Sequence, residues 1–170
     1  MNKKIAFQGS IGANSYIACT KFYPQHQTIA LNSFQDVFTA VQNEEVEFAI
    51  VPLENSYAGR VAEVHHLLHD SQLNIIAEHF LNIEHHLAIL PEANISQITE
   101  IYSHQQAFMQ CKNNLQNINA KKTNFSNTAT AAQFVQQKKD LTKAAICSKE
   151  AAAENNLKII QNNIEDQKTG

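Results

Sequence analysis

Arginine is almost missing from this chain: Arg60 is the only one among 13 cationic side chains, and the net charge over 170 residues is −3. With the lysines scattered as well, there is no basic surface of the kind that holds a phosphate backbone, so nucleic acid is not an expected partner. Long hydrophobic runs are missing too. Charged or amide residues break every apolar run within about ten positions, well short of the roughly 20 that cross a bilayer, so no membrane association is expected. Lys3 and Lys4 precede Ile5-Ala6-Phe7, but Gln8, Gly9 and Ser10 end that run before the core of a signal peptide could form. Three cysteines, Cys19, Cys111 and Cys147, form an odd set without CxxC spacing. That argues against a disulfide framework and fits a reducing, cytoplasmic setting.

Reactive signatures are scarce as well. There is no GxSxG elbow and no glycine-rich phosphate loop followed by lysine, which weakens hydrolase and nucleotide readings. His65 and His69 share a helix face, with His66, His79, His85 and His86 nearby, yet no HExxH pattern or cysteine pair accompanies them, and no metal is assigned. What remains is 44% hydrophobic and 17% charged, enough to bury a core in one domain of ordinary size or two small lobes.

The apolar pattern alternates. Lys4 to Phe7 is a short strand candidate, followed by helical spacing over 12–23 through Ile17, Ala18 and Phe22. A second strand is expected over 27–31, then a helix capped by Ser33 with Phe34, Val37, Phe38 and Val41 on one face. Phe48-Ala49-Ile50-Val51 is a continuous apolar run suited to a strand buried on both faces, and helical spacing resumes over 61–68. Two extended candidates, 73–80 and 83–90, then adjoin without a helix between them, which suggests a crossing into a second lobe. Beyond Pro91 the alternation restarts, with strands over 98–102, 120–125 and 143–147 and helices over 105–115, 128–137 and 149–155. A last strand candidate, 157–164, is expected to return to the first lobe. The pattern predicts an α/β protein of two three-layer lobes with a cleft between them, the first made of residues 1–77 plus 157–170 and the second of 78–156.

Polar residues gather where strands give way to helices. Four such junctions stand out: Gln8-Gly9-Ser10 through Ser15, Glu54-Asn55-Ser56 through Gly59-Arg60, Ser103-His104-Gln105-Gln106, and Ser126-Asn127-Thr128-Ala129-Thr130. A helix N-terminus offers unsatisfied N–H groups and a positive dipole end, and open α/β sheets bind ligands beyond the carboxyl ends of their strands. A small anionic ligand is the expected partner. Each junction taken alone also reads as a turn with a helix cap, His104 included; Glu54-Asn55-Ser56, three polar residues directly after a strand core, fits that reading least. Arg60 at a helix start would oppose the dipole and calls for a counter-anion.

These same stretches resemble the prephenate dehydratases, which make phenylpyruvate on the route to phenylalanine. Ala6-Phe7-Gln8-Gly9 through Gly12-Ala13-Asn14-Ser15 is similar to the family's N-terminal glycine motif, and Pro52-Leu53-Glu54-Asn55-Ser56 with Gly59 to its most specific signature. Tyr102-Ser103-His104-Gln105-Gln106-Ala107 resembles its Ser-His-Pro-Gln-Ala motif with Gln105 in place of proline, and Asn127-Thr128-Ala129 its Ser-Thr-Ala motif with Asn127 in place of serine. The family's Thr-Arg-Phe motif would begin where these residues stop; Thr169 has no Arg-Phe after it, so no role is carried to it, and no ACT regulatory domain is represented.

The resemblance implies a fold like type II periplasmic binding proteins, a carbon–oxygen lyase without a cofactor, and a homodimer. It implies catalytic roles for Asn55 and Gln106, with Glu54 and Ser56 shaping the same wall and Thr128 holding a carboxylate at its helix N-terminus. The junctions add Gln8, Ser10, Gly59, Ser103, His104 and Ala129 as substrate-binding candidates, and Arg60 as a counter-charge. Prephenate is the expected substrate; arogenate, or binding of a small anion without turnover, is the alternative.

Overall fold

The computed structural model describes residues 3–56 and 59–166, and they divide into two compact units. The first comprises the chain up to Ser10 together with Asn14–Leu81; the second comprises Ile11–Ala13 and everything from Asn82 onward.

In the first unit, β1 (Lys4–Gln8) lies between β2 (Gln27–Leu31) and β3 (Phe48–Ile50), all parallel. Parallel neighbours need a crossover, which α1 (Asn14–Phe22) and α2 (Phe34–Gln42) supply. Because successive side chains of a strand point to opposite faces, β1 is buried twice: Ile5 and Phe7 pack with Cys19 of α1, and Ala6 packs with Val37 and Ala40 of α2. Ser33 caps α2 as its sequence suggests, in a reciprocal box with Asp36. A two-residue hairpin follows, β4 (Glu54–Asn55) against β5 (Gly59–Arg60), and then α3 (Ala62–Asp70).

The second unit holds β6 (His86–Ile89), β7 (Glu100–Ser103), β8 (Lys121–Asn124), β9 (Lys143–Cys147) and β10 (Lys158–Gln161) in one sheet of order β10-β6-β9-β7-β8. β7 runs parallel to β8 and β9, whereas β6 runs antiparallel to β9 and β10. Its helices are α4 (Gln105–Gln110), α5 (Thr128–Lys138) and α6 (Lys149–Glu154). They meet the core largely through alanine: Ala129, Ala131, Ala132, Ala151 and Ala152 are buried, and they pack in one cluster with Leu87, Ile101 and Ile146. Small side chains let helix backbones come close to the sheet, where dense packing is worth most.

Three expectations need correction. Residues 157–164 do not return to the first unit: Lys158 and Ile159 pair with Ile89 and Ala88 of β6, and Leu157 and Ile164 are buried in the second core. The stretch 73–80 is extended in propensity but joins no ladder among the described residues, and Ile75 and Ile76 stand 63% and 72% exposed; β propensity needs a partner strand to become structure. The helix expected over 105–115 ends at Gln110, because the Asp166 carboxylate accepts from the Asn113 and Asn114 N–H groups and holds a run of turns there instead.

The second core is the part of the chain whose loss should be felt most. Ile146→Ala removes a fully buried side chain from β9 and is expected to cost about 2–5 kcal/mol, whereas Ile76→Ala should stay within about 0.5 kcal/mol. Urea denaturation of both variants checks the contrast.

Candidate functional site

Two groups of predicted site residues form, one in each unit. In the first unit, Gln8 ends β1 and its Nε2 donates to the Asn32 carbonyl at 3.2 Å, while the Gly9 N–H donates to the Leu31 carbonyl at 3.0 Å. The chain is thus fixed at the end of the strand, and the next residue, Ser10, carries a buried hydroxyl oxygen with no hydrogen-bond partner among the described residues. Buried polar atoms are normally satisfied, so a lone one at a strand's carboxyl end suits a ligand contact.

The Glu54-Asn55-Ser56 stretch lies on the β4–β5 hairpin rather than in a loop. Glu54 pairs with Arg60 and Asn55 with Gly59, and the Val61 N–H closes the hairpin onto the Leu53 carbonyl at 3.0 Å. Gly59 has φ +73, a backbone state that costs other residues dearly, with open space around it. Asn55 is half-buried; Glu54, Ser56 and Arg60 are exposed. Arg60 is therefore a strand residue, not a helix-start residue, and a carboxylate stands directly across the ladder from it. Tyr57 and Ala58, part of the motif's tip, lie outside the described residues.

In the second unit, His104 is the N-cap of α4: its Nδ1 accepts from the Gln106 N–H at 3.2 Å. The capping reading of His104 is the one this geometry supports. The Gln106 side chain is half-buried and makes no hydrogen bond among the described residues. Asn127 caps α5, its Oδ1 accepting from the Thr130 N–H at 2.8 Å, so the replacement of serine by asparagine keeps the cap. Thr128 and the buried Ala129 then occupy the first two helical positions, whose N–H groups have no intrahelical acceptor. Ser103 is a correction. It is fully buried, and its hydroxyl donates to the Ile146 carbonyl at 2.7 Å, tying β7 to β9; this is a sheet contact and not a substrate contact.

One pair of histidines weighed above as metal ligands has a structural setting. The His85-His86 doublet is buried, with His85 Nε2 donating to Gln110 Oε1 at 2.6 Å and the His85 N–H donating to Glu165 at 2.9 Å. His86 Nδ1 accepts from the Asn163 N–H at 3.3 Å. The doublet resembles a surface pair in sequence; its signal was the apolar run of β6 that follows directly.

Nucleophilic and metal chemistry find little footing. Cys19, Cys111 and Cys147 are free and buried, and burial pushes each thiol up to about 12, which leaves no thiolate at neutral pH. Among the described residues no three His, Cys, Asp or Glu side chains come together as metal ligands would. No helix among them is long and apolar enough to cross a membrane. A cluster of charges, Lys143 with Glu100 at 3.1 Å and Asp140 at 3.0 Å, is built at the starts of β7 and β9, the opposite strand ends from His104. The group in the second unit offers a neutral side-chain amide and free helix N–H groups, which suit an anion, and the group in the first offers the Ser10 hydroxyl beside the hairpin.

A family model described as prephenate dehydratase matches residues 5–170. The chain belongs to that family. It is 34% identical over 162 residues to the bifunctional N-acyl-homoserine lactone acylase/prephenate dehydratase of Komagataeibacter europaeus, covering 95% of this chain and 58% of that one. It is 36% identical over 163 residues to arogenate dehydratase/prephenate dehydratase 1 of Arabidopsis thaliana, covering 96% and 42%. The chain thus spans about half the length of the curated relatives it matches. Among solved structures, the prephenate dehydratase of Arthrobacter aurescens in complex with L-Phe superposes with a TM-score of 0.90 at 26% identity, covering 98% of this chain and 57% of that one. The stretches that resemble the family's motifs lie at the end of β1, on the β4–β5 hairpin, across the end of β7 and the start of α4, and at the start of α5.

The buried histidine gives the second unit a pH dependence. Burial lowers the His85 pKa from its ordinary 6.5, opposed by the Gln110 hydrogen bond and by the Glu165 charge and reinforced by His86. The unfolded chain therefore takes up this proton more readily than the folded one, so the contribution is complete above about 6.5 and is lost as the pH falls below it. Stability to urea should drop between pH 7.5 and 5.5, and His85→Gln should flatten the drop; an unchanged pH dependence in that variant would refute the assignment.

Proposed function

We propose that this chain carries out the decarboxylating dehydration of prephenate to phenylpyruvate, carbon dioxide and water. The observation that carries the proposal is the family match over residues 5–170. The Ser10 hydroxyl and the Gln106 side-chain amide, which have no hydrogen-bond partner among the described residues, support it. Arogenate dehydratases stand among the relatives as well, so substrate choice is read by assay of both compounds.

In the reaction the bond between ring and carboxylate breaks, its electron pair enters the ring, and the ring hydroxyl departs from the opposite carbon. Aromatisation drives the step. One proton is taken up, so that the oxygen leaves as water. The protein has to hold two carboxylates, keep both breaking bonds aligned with the ring, and stabilise the leaving oxygen. In this reading the Thr128 hydroxyl and the N–H groups of Thr128 and Ala129 hold one carboxylate. Asn55 and Gln106 donate hydrogen bonds that strengthen as charge develops, and Ser10 supplies its unpaired hydroxyl. Glu54, Ser56 and Gly59 shape the wall, Arg60 adds positive charge, and Gln8 and His104 hold their own strand end and helix start. No cofactor enters this scheme.

The test is to incubate the protein with prephenate and follow phenylpyruvate by its ultraviolet absorbance in base. Product formation supports the proposal. No product, together with saturable heat on prephenate titration, replaces the enzyme with a binding module, and product from arogenate alone moves the substrate to arogenate. Asn55→Ala and Gln106→Ala should each lower turnover by about 10²- to 10³-fold while leaving the melting temperature nearly unchanged; wild-type rates in either variant would remove that residue from the site.

A further inference from the structure

Among the described residues, four α-helix starts carry a side-chain cap: Ser33, His104, Asn127 and Ser148. Ser148 differs from the others. Its Oγ accepts from the Ala151 N–H at 3.0 Å, as an N-cap does, and also donates to the carbonyl of Gly12 at 2.7 Å, 136 residues away in sequence. Of the capping side chains, only a hydroxyl can accept and donate through one atom. Ser148 is 5% exposed, so both bonds are made out of water.

The loop it grips is built to be gripped. Gly12 has φ +86, and a Cβ there would fall 2.6 Å from the Cα of Ala151. Only glycine fits, on conformation and on space. The next residue, Ala13, is buried in the second core. On the other side, the Gly9 N–H is fixed to the Leu31 carbonyl. Gly9, held in the first unit, precedes Ser10 with its buried hydroxyl unpartnered among the described residues, and Gly12, held in the second, follows Ile11, an apolar side chain left 46% exposed. Holding Gly12 lowers the entropy cost of ordering the residues bonded to it when substrate arrives.

We propose that Ser148 is a positioning residue, whose hydroxyl holds the Gly12 carbonyl and so presents Ser10 and Ile11 to the substrate. The proposal rests on the dehydratase reading above for its kinetic consequence, and on the loop geometry alone for its structural one. Capping of α6 would be the whole role of Ser148 if the Gly12 bond were incidental.

Hydrogen exchange and steady-state kinetics on wild type, Ser148→Ala and Ser148→Thr separate the two. With positioning, Ser148→Ala speeds exchange at the amides of residues 9–13 as well as at the start of α6. It also raises the KM for prephenate about tenfold, the size of one neutral buried hydrogen bond, with kcat changed much less. Ser148→Thr, which keeps both bonds, restores exchange and KM. With capping alone, Ser148→Ala speeds exchange only at residues 149–152 and leaves residues 9–13 and KM as in wild type, which overturns the proposal. Wild-type protein that forms no product refutes the dehydratase reading, and exchange at residues 9–13 then decides the role of Ser148 by itself.

Discussion

The first N–H groups of a helix have no acceptor inside the helix, and a chain that alternates strand and helix brings them to the carboxyl ends of its strands. Much of what is distinctive in this protein answers that constraint. At Ser33, His104, Asn127 and Ser148 a side chain takes one of the orphaned donors. The donors that remain, together with neutral polar side chains set beside them, are the raw material of an anion site. The chemistry assigned here needs such donors and little else, which is why a chain without a reactive thiol or an assembled metal cluster among its described residues still suits it.

Capping and binding compete for the same atoms, and the structure shows how they are divided. His104 gives its Nδ1 to the backbone of Gln106 and so leaves the Gln106 amide as the available group of that junction. Asn127 satisfies Thr130, which leaves the two N–H groups before it. Ser103 lies one residue before His104, yet its hydroxyl is committed to the sheet. Neighbouring residues of one motif thus hold different parts: one fixes the strand, one fixes the helix, and one stays open to a ligand.

Much of this was legible in the sequence because it follows from short-range pattern. The runs at 4–7, 27–31 and 143–147 are strands, the first and last of them with buried centres, and Ser33 with Asp36 announces a helix start. Less legible was anything decided by distant partners. The apolar run at 157–164 identifies a strand but not its sheet, and β6 claimed it. The stretch 73–80 has the composition of a strand and no ladder. Strands of two residues, β4 and β5, leave no periodic trace, so the hairpin holding Asn55 was invisible. The candidate site residues come from the junctions and the family resemblance; what the structure added was which of their polar atoms are already engaged.

The central claim is that the polar groups at these strand ends, at the helix starts that follow and on the hairpin meet prephenate. Nuclear magnetic resonance titration of ¹⁵N-labelled protein with prephenate tests it most directly. The account predicts saturable shifts concentrated at the amides of Ser10, Asn55, Gln106, Thr128 and Ala129. Shifts centred elsewhere, such as the groove lined by Leu90, Gln136 and Lys139, or no saturable shift at all, would contradict it.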